Sequence, residues 1–232
     1  MTTRIFIINP DYGMTREEMD SRCAMLRPYV SSSTALHMEC LTETKVEIDS
    51  AADVVLAGPE ILAMAEQAER DGYDAVVLYC FSDPAFAACR DRLRIPVVGG
   101  AGAACAVSPL LGRRAGVIVT NPARIPEKSH FLVGMGLPSS FLGKVDAVDL
   151  RAPIWEDRAG ALREIIRKGT AMKKEDHIDV LILGCLSFLG LAKPAEEALG
   201  IPVIDPAVSA VMLAENLARR QQKIVMEKYE KF

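Results

Sequence analysis

The chain has 232 residues, 50% hydrophobic and 25% charged, with a formal net charge of −4. That is the balance of a globular protein with apolar material for a real core and room for one large domain or two small ones. It carries no concentration of basic residues that would call for nucleic acid, and no run near the ~18 apolar residues of a membrane span. The expected partner is therefore a small molecule, and self-association into a homo-oligomer is compatible with the chain.

The first strand candidate is 4–8, stopped at once by Asn9-Pro10-Asp11. It is too short for the core of a secretion signal, so a cytoplasmic protein with reduced cysteines is expected. Thr15-Arg16-Glu17-Glu18 has the form of a capping box, in which the Thr15 hydroxyl accepts a free backbone N–H while Glu18 reaches back. A strand follows at 36–41. Ser50 with Asp53 repeats the capping form and predicts a helix to about residue 70, stopped near Gly72. Strands are then predicted at 75–79 and 96–98. The second half gives strands at 116–119, 145–150, 180–184 and 202–204, and a long terminal helix over 207–227. Strand and helix patterns alternate throughout, which predicts an α/β fold with parallel sheets. No low-complexity linker separates the halves, so the junction is placed near 99–108, with a well-packed domain interface as the natural place for a small-molecule site.

The chain also repeats itself. Asp74-Ala75-Val76-Val77-Leu78-Tyr79-Cys80 matches Asp179-Val180-Leu181-Ile182-Leu183-Gly184-Cys185, and Ile95-Pro96-Val97-Val98 matches Ile201-Pro202-Val203-Ile204. The opening strands match as well, 4–8 running into Asn9-Pro10 and 115–119 into Thr120-Asn121-Pro122. Each cysteine is thus expected at the carboxyl end of an equivalent parallel strand, where open α/β sheets place their ligands.

Two equivalent thiols suit one kind of chemistry. Inverting a carbon needs a base on one face and an acid on the other, and a thiol can fill both roles when its pKa is set near the operating pH. Asp83 is expected to cap a helix that starts at Pro84, and the Gly190 to Pro194 region to start another. Each cysteine would then lie in the positive end of a helix dipole. A carbanion beside a carbonyl needs donors for its oxygen, and Asn9, Ser82, Thr120 and Ser187 are the candidates. Their neighbours Phe81, Asp83, Asn121 and Leu186 complete the expected pocket.

Cys80-Phe81-Ser82-Asp83-Pro84, Ile95-Pro96-Val97-Val98-Gly99, Leu183-Gly184-Cys185 and Ile201-Pro202-Val203-Ile204-Asp205 together resemble the aspartate/glutamate/hydantoin racemase superfamily, in its hydantoin and allantoin racemase branch. The likeness runs over nearly the whole chain. It implies two pseudo-symmetric parallel-sheet α/β domains, 1–99 with 205–232 and 100–204, with the active site in the cleft between them. It also implies proton transfer without cofactor or metal, by Cys80 and Cys185, at the stereocentre of a 5-substituted hydantoin or allantoin. Two sulfurs that share one carbon would stand about 7 Å apart. The chain departs from the branch at Asp11, where Asn is usual, and at Leu186-Ser187-Phe188, where small Ala-Gly residues are usual.

Other residues have plainer readings. Cys23, Cys40, Cys89 and Cys105 are expected to serve as small hydrophobes. Gly99-Gly100-Ala101-Gly102 follows a strand like a dinucleotide fingerprint, but Thr120 and Asn121 stand where its acidic residue should be, so nicotinamide binding is not expected. His130 and His177 are expected in solvent, and Trp155 in packing. The competing functions are an amino-acid racemase, a maleate isomerase, and a non-catalytic two-domain binding protein. Decarboxylation of an arylmalonate is less favoured, because in the superfamily that chemistry uses one cysteine.

Overall fold

The computed structural model describes residues 2–229, with side-chain surroundings through residue 222. In chain order it runs β1 (Thr3–Tyr12), α1 (Arg16–Leu26), β2 (Thr34–Leu41), α2 (Ala51–Arg70), β3 (Ala75–Leu78), α3 (Phe86–Arg92), β4 (Val97–Gly99) and α4 (Gly100–Leu111). The alternation then recurs as β5 (Ala115–Val119), α5 (Ile125–Gly134), β6 (Leu142–Ala147), α6 (Arg158–Glu175), β7 (Val180–Leu183), α7 (Ala192–Leu199), β8 (Val203–Ile204) and α8 (Pro206–Tyr229). Short 3₁₀ turns at Pro122–Arg124 and Leu186–Phe188 follow β5 and β7. No helix among the described residues is long and apolar enough to cross a membrane.

The strands form two parallel sheets with one order, β2-β1-β3-β4 and β6-β5-β7-β8. The chain reversals of parallel pairs demand crossover helices, which supply apolar cover for both sheet faces. That is why β3 and β7 are apolar and buried at every position. Both predicted capping boxes are present, Thr15 with Glu18 and Ser50 with Asp53. β1 extends past the expected stop, through Asn9 and Pro10 to Tyr12, with its register to β2 broken between Asn9 and Tyr12. Pro10 can stay in the strand because it sits at that break, where a ladder N–H is not needed. β6 lies earlier than its apolar pattern suggests, since Lys144 to Ala147 pair with Gly116 to Val119 and leave 148–150 beyond the strand.

Two compact units result, Met1–Gly100 with Ala210–Phe232, and Ala101–Ser209. In the first, Phe6, Ile8, Leu41, Ile61, Val76, Leu78 and Cys89 share one core. In the second, Ile118, Ile165, Leu181, Leu183, Phe188 and Leu199 share another. α8 begins in the second unit, where the Asp205 carboxylate accepts from the N–H groups of Ala207 (3.0 Å) and Val208 (3.3 Å). Its later turns belong to the first, where Glu215 accepts from the Ser31 N–H at 2.9 Å and Gln221 donates to the Arg94 carbonyl at 2.9 Å.

Gly184, just before Cys185, follows β7 and donates its N–H to the Ile118 carbonyl of β5 at 2.6 Å. A Cβ there would stand 2.8 Å from the Ile118 carbonyl oxygen, which is backbone and cannot swing aside. Gly184→Ala should therefore cost about 1–3 kcal/mol, typical of overpacking. Gly134, the last residue of α5, has open space around its would-be Cβ. Gly134→Ala should instead gain about 0.5–1 kcal/mol through helix propensity. Urea denaturation midpoints should move in opposite directions for the two variants.

Candidate active site

In the first unit the ladder between β1 and β3 ends at Ile8 and Leu78, and one further bond, Tyr79 N–H to the Ile8 carbonyl at 2.8 Å, closes it. Cys80 is the next residue, half-buried and outside the ladder. Asn9 follows Ile8 within β1 and is 1% exposed. Its Oδ1 accepts the Asp11 N–H at 3.0 Å, which fixes the orientation of the amide. Its Nδ2 is buried and has no hydrogen-bond partner among the described residues. A buried orphan donor costs roughly 1–3 kcal/mol and is uncommon without a purpose.

The turn after Cys80 departs from its expected form. Asp83 has φ +43° and Ala85 φ +59°, both left-handed, and α3 starts only at Phe86, with Ala85 in the cap position. Asp83 stands two residues before the cap position, so it does not cap α3, and Pro84 is not a first helical residue. Asp83 is instead buried, with its N–H donating to the Cys80 carbonyl at 3.3 Å. A Cβ on Gly99 would come within 2.2 Å of its carboxyl carbon. Phe81 and Ser82 are buried beside it. Asp11, next along from Pro10, is half-buried; burial pushes its carboxyl up, Arg22 opposes that and Glu47 adds to it.

The second unit repeats the strand ends. Ile118 pairs with Leu183, the Gly184 N–H donates to the Ile118 carbonyl at 2.6 Å, and Cys185 follows. Cys185, half-buried, precedes the Leu186–Phe188 turn directly, while α7 waits until Ala192. The helix thus starts within the expected Gly190 to Pro194 region, with Pro194 in its first turn. The pairing also corrects the match between the two Asn-Pro pairs. Ile8 and Ile118 are equivalent, so Asn9 corresponds to Val119 and not to Asn121. Asn121 lies beyond β5 and accepts the Ala123 N–H at 2.9 Å, shaping the turn that leads to α5. Thr120 is exposed, Ser187 half-buried and Leu186 buried.

Three residues that the motifs did not single out as site residues surround the Cys185 turn. Arg158, at the start of α6, donates to the carbonyls of Ser187 (3.1 Å) and Leu189. Its guanidinium lies 4.5 Å from the Trp155 ring centroid. Asp205 accepts the Gly190 N–H at 3.0 Å. Burial pushes the Asp205 carboxyl up, against the N–H groups of Gly190, Val208 and Ala207 and the charge of Arg158. No local pattern announces such bonds, because they join segments far apart in the chain.

The other cysteines have different surroundings. Cys40, Cys89 and Cys105 are buried and Cys23 partly so. Burial pushes the thiols of Cys23 and Cys89 up to about 11. His130 and His177 are exposed.

These features define a class of α/β protein, in which a four-stranded parallel unit is used twice and each copy sets a cysteine just past the end of its third strand. The Asp/Glu/Hydantoin racemase model matches residues 5–214. A hydantoin racemase of Rhizobium meliloti is 33% identical over 218 residues, covering 92% of this chain and 88% of that one. A hydantoin racemase of Paenarthrobacter aurescens is 29% identical, covering 92% and 90%. Among solved structures, an allantoin racemase from Klebsiella pneumoniae superposes with a TM-score of 0.86 at 26% identity, covering 95% of this chain and 89% of that one. The chain belongs to the Asp/Glu/hydantoin racemase family, and as a member it is an isomerase, a racemase.

The thiol chemistry yields a direct expectation. With pKa values about 11, only roughly one in a thousand of the Cys23 and Cys89 thiols is ionised at pH 8. Iodoacetamide followed by peptide mass spectrometry should leave both unmodified at pH 8. Their labelling should rise about tenfold per pH unit until it levels near pH 11.

Proposed function

We propose that the protein racemises a 5-substituted hydantoin or allantoin by a two-base mechanism in which Cys80 and Cys185 act on one carbon from opposite faces. One sulfur, as thiolate, takes the C5 proton. The C5–H electron pair passes into the adjacent C4 carbonyl as an enolate, and the thiol of the other cysteine returns a proton to the far face. The enantiomer runs with the roles exchanged. No atom is gained or lost over the cycle, and no metal or cofactor is called for.

The observation that carries this reading is the equivalence of the two cysteines, each one residue past the bond that closes the central strand pair of its unit. The substrate class is supported by the names of the relatives, hydantoin racemases at 33% and 29% identity and an allantoin racemase of similar fold. Both names denote a ring carbon flanked by a carbonyl, whose proton is acid enough for a thiolate to remove. Asn9 supports the same reading, since its unpartnered Nδ2 is a donor of the kind an enolate oxygen needs.

Purified enzyme should abolish the optical rotation of a single hydantoin enantiomer and, in deuterium oxide, place deuterium at C5. Cys80→Ser and Cys185→Ser should each lower kcat by about 10²–10⁴-fold, the range of a lost general acid or base. Racemisation that survives either change would rule out the paired scheme. Asn9→Asp keeps an oxygen for the Asp11 N–H but replaces the donor with an acceptor. It should lower kcat by about 10²–10³-fold, the cost of losing one oxyanion donor. Unchanged turnover in that variant would remove Asn9 from the mechanism.

A further inference from the structure

Cys185 ends a strand, but a strand end does not by itself aim a side chain. The direction of its sulfur is set by the residues that leave the strand, 186–191. Two kinds of support act on them. Phe188 and Leu189 are buried at 0% and 1% exposure, which anchors the turn in the core of its unit. The polar groups of the same turn are bonded to two charged side chains. Arg158 donates to the carbonyls of Ser187 and Leu189, and Asp205 accepts from the Gly190 N–H at 3.0 Å.

The Arg158 bond reaches Cys185 through one peptide group. The Ser187 carbonyl that accepts from the guanidinium belongs to the same amide as the Phe188 N–H, and that N–H donates to the Cys185 carbonyl at 3.2 Å. A cation on the oxygen polarises the amide and strengthens the N–H as a donor, as hydrogen bonds in chains do. The guanidinium is itself held in place by lying 4.5 Å over the Trp155 ring, which limits the rotamers open to it. Its planar fork can serve two carbonyls at once, which an ammonium group cannot do with the same geometry. Asp205 completes the arrangement from the other side, tied to the first turn of α8 by the Ala207 and Val208 N–H groups.

We propose that Arg158 is a positioning residue for Cys185, fixing with Asp205 the 186–190 turn that aims the thiol and setting a positive charge on the carbonyl two residues beyond it. The inference rests on the two-cysteine reading for its effect on turnover, while its effect on the thiol does not depend on any substrate.

The test uses the full chain with Arg158→Met and Arg158→Lys. Each variant is assayed for hydantoin racemisation, and Cys185 and Cys80 are alkylated with iodoacetamide at pH 8 and resolved by peptide mass spectrometry. Arg158→Met should lower kcat by about 10- to 100-fold and change KM by less than about threefold, because a misaimed thiol still allows binding. Arg158→Lys keeps the charge and one carbonyl bond, and should recover part of the loss. The ratio of Cys185 to Cys80 alkylation rates should fall by about threefold or more in the Met variant, since it removes the cation bonded two residues beyond Cys185 and loosens the turn there. A ratio and a kcat both within twofold of the parent would overturn the proposal. If Arg158→Met does not fold, Arg158→Lys decides, and parental values for it would overturn the proposal equally. If the parent turns over no hydantoin yet the ratio still falls, the substrate reading fails and the positioning role stands.

Discussion

Two backbone hydrogen bonds fix where the two strand-end cysteines sit, Tyr79 N–H to the Ile8 carbonyl and Gly184 N–H to the Ile118 carbonyl. Each is the last rung between the two central strands of a sheet, and each is followed immediately by a cysteine. Because β3 and β7 are buried on both faces, neither strand can slip along its neighbour without exposing apolar surface or breaking the ladder. The positions of Cys80 and Cys185 are thus consequences of sheet register, which the packing of each core enforces. The close approach at Gly184 is part of the same constraint, since only a residue without Cβ lets the two backbones come so near.

Beyond the rungs the two copies differ. The turn after Cys80 relies on backbone conformation, with Asp83 and Ala85 both left-handed and the Asp83 carboxylate seated against the bare Cα of Gly99. Left-handed non-glycine residues cost on the order of 1–3 kcal/mol each and persist only where the surroundings hold them. The turn after Cys185 relies on hydrogen bonds to the Arg158 and Asp205 side chains, and on the buried Phe188 and Leu189. The two units share one strand order, and their turns are secured by different means.

This division also governs what can be read from the chain. The apolar runs at β3, β5 and β7 are legible because burial on both faces leaves no polar position in them. The helix starts at Thr15 and Ser50 are legible because a capping box is a local bargain between four residues. The left-handed Asp83 is not legible, since Asp-Pro after a strand reads as a cap until Gly99 is brought against it by the fold. Arg158 is invisible for a similar reason, because its partners lie about thirty residues away and are backbone carbonyls, which have no letter in the sequence. The Asn-Pro pairs mislead in the opposite sense. They look like repeats, yet Asn9 is buried within β1 while Asn121 shapes a turn beyond β5, a distinction that only strand pairing reveals.

The unequal supports of the two turns meet a limit that no protein can alter. Mirror-image substrates have the same free energy in water, so at equilibrium they are equally abundant whatever catalyst is present. The ratio kcat/KM must consequently be the same for both hands, even though in the proposed two-cysteine scheme one thiol precedes a turn of left-handed backbone and the other a turn bonded to a guanidinium. Divergence between the copies can surface only in how saturation and maximal speed are divided for each hand. Natural drift in one turn would thus handicap both directions of the reaction together, giving selection a reason to preserve two unlike devices with equal care.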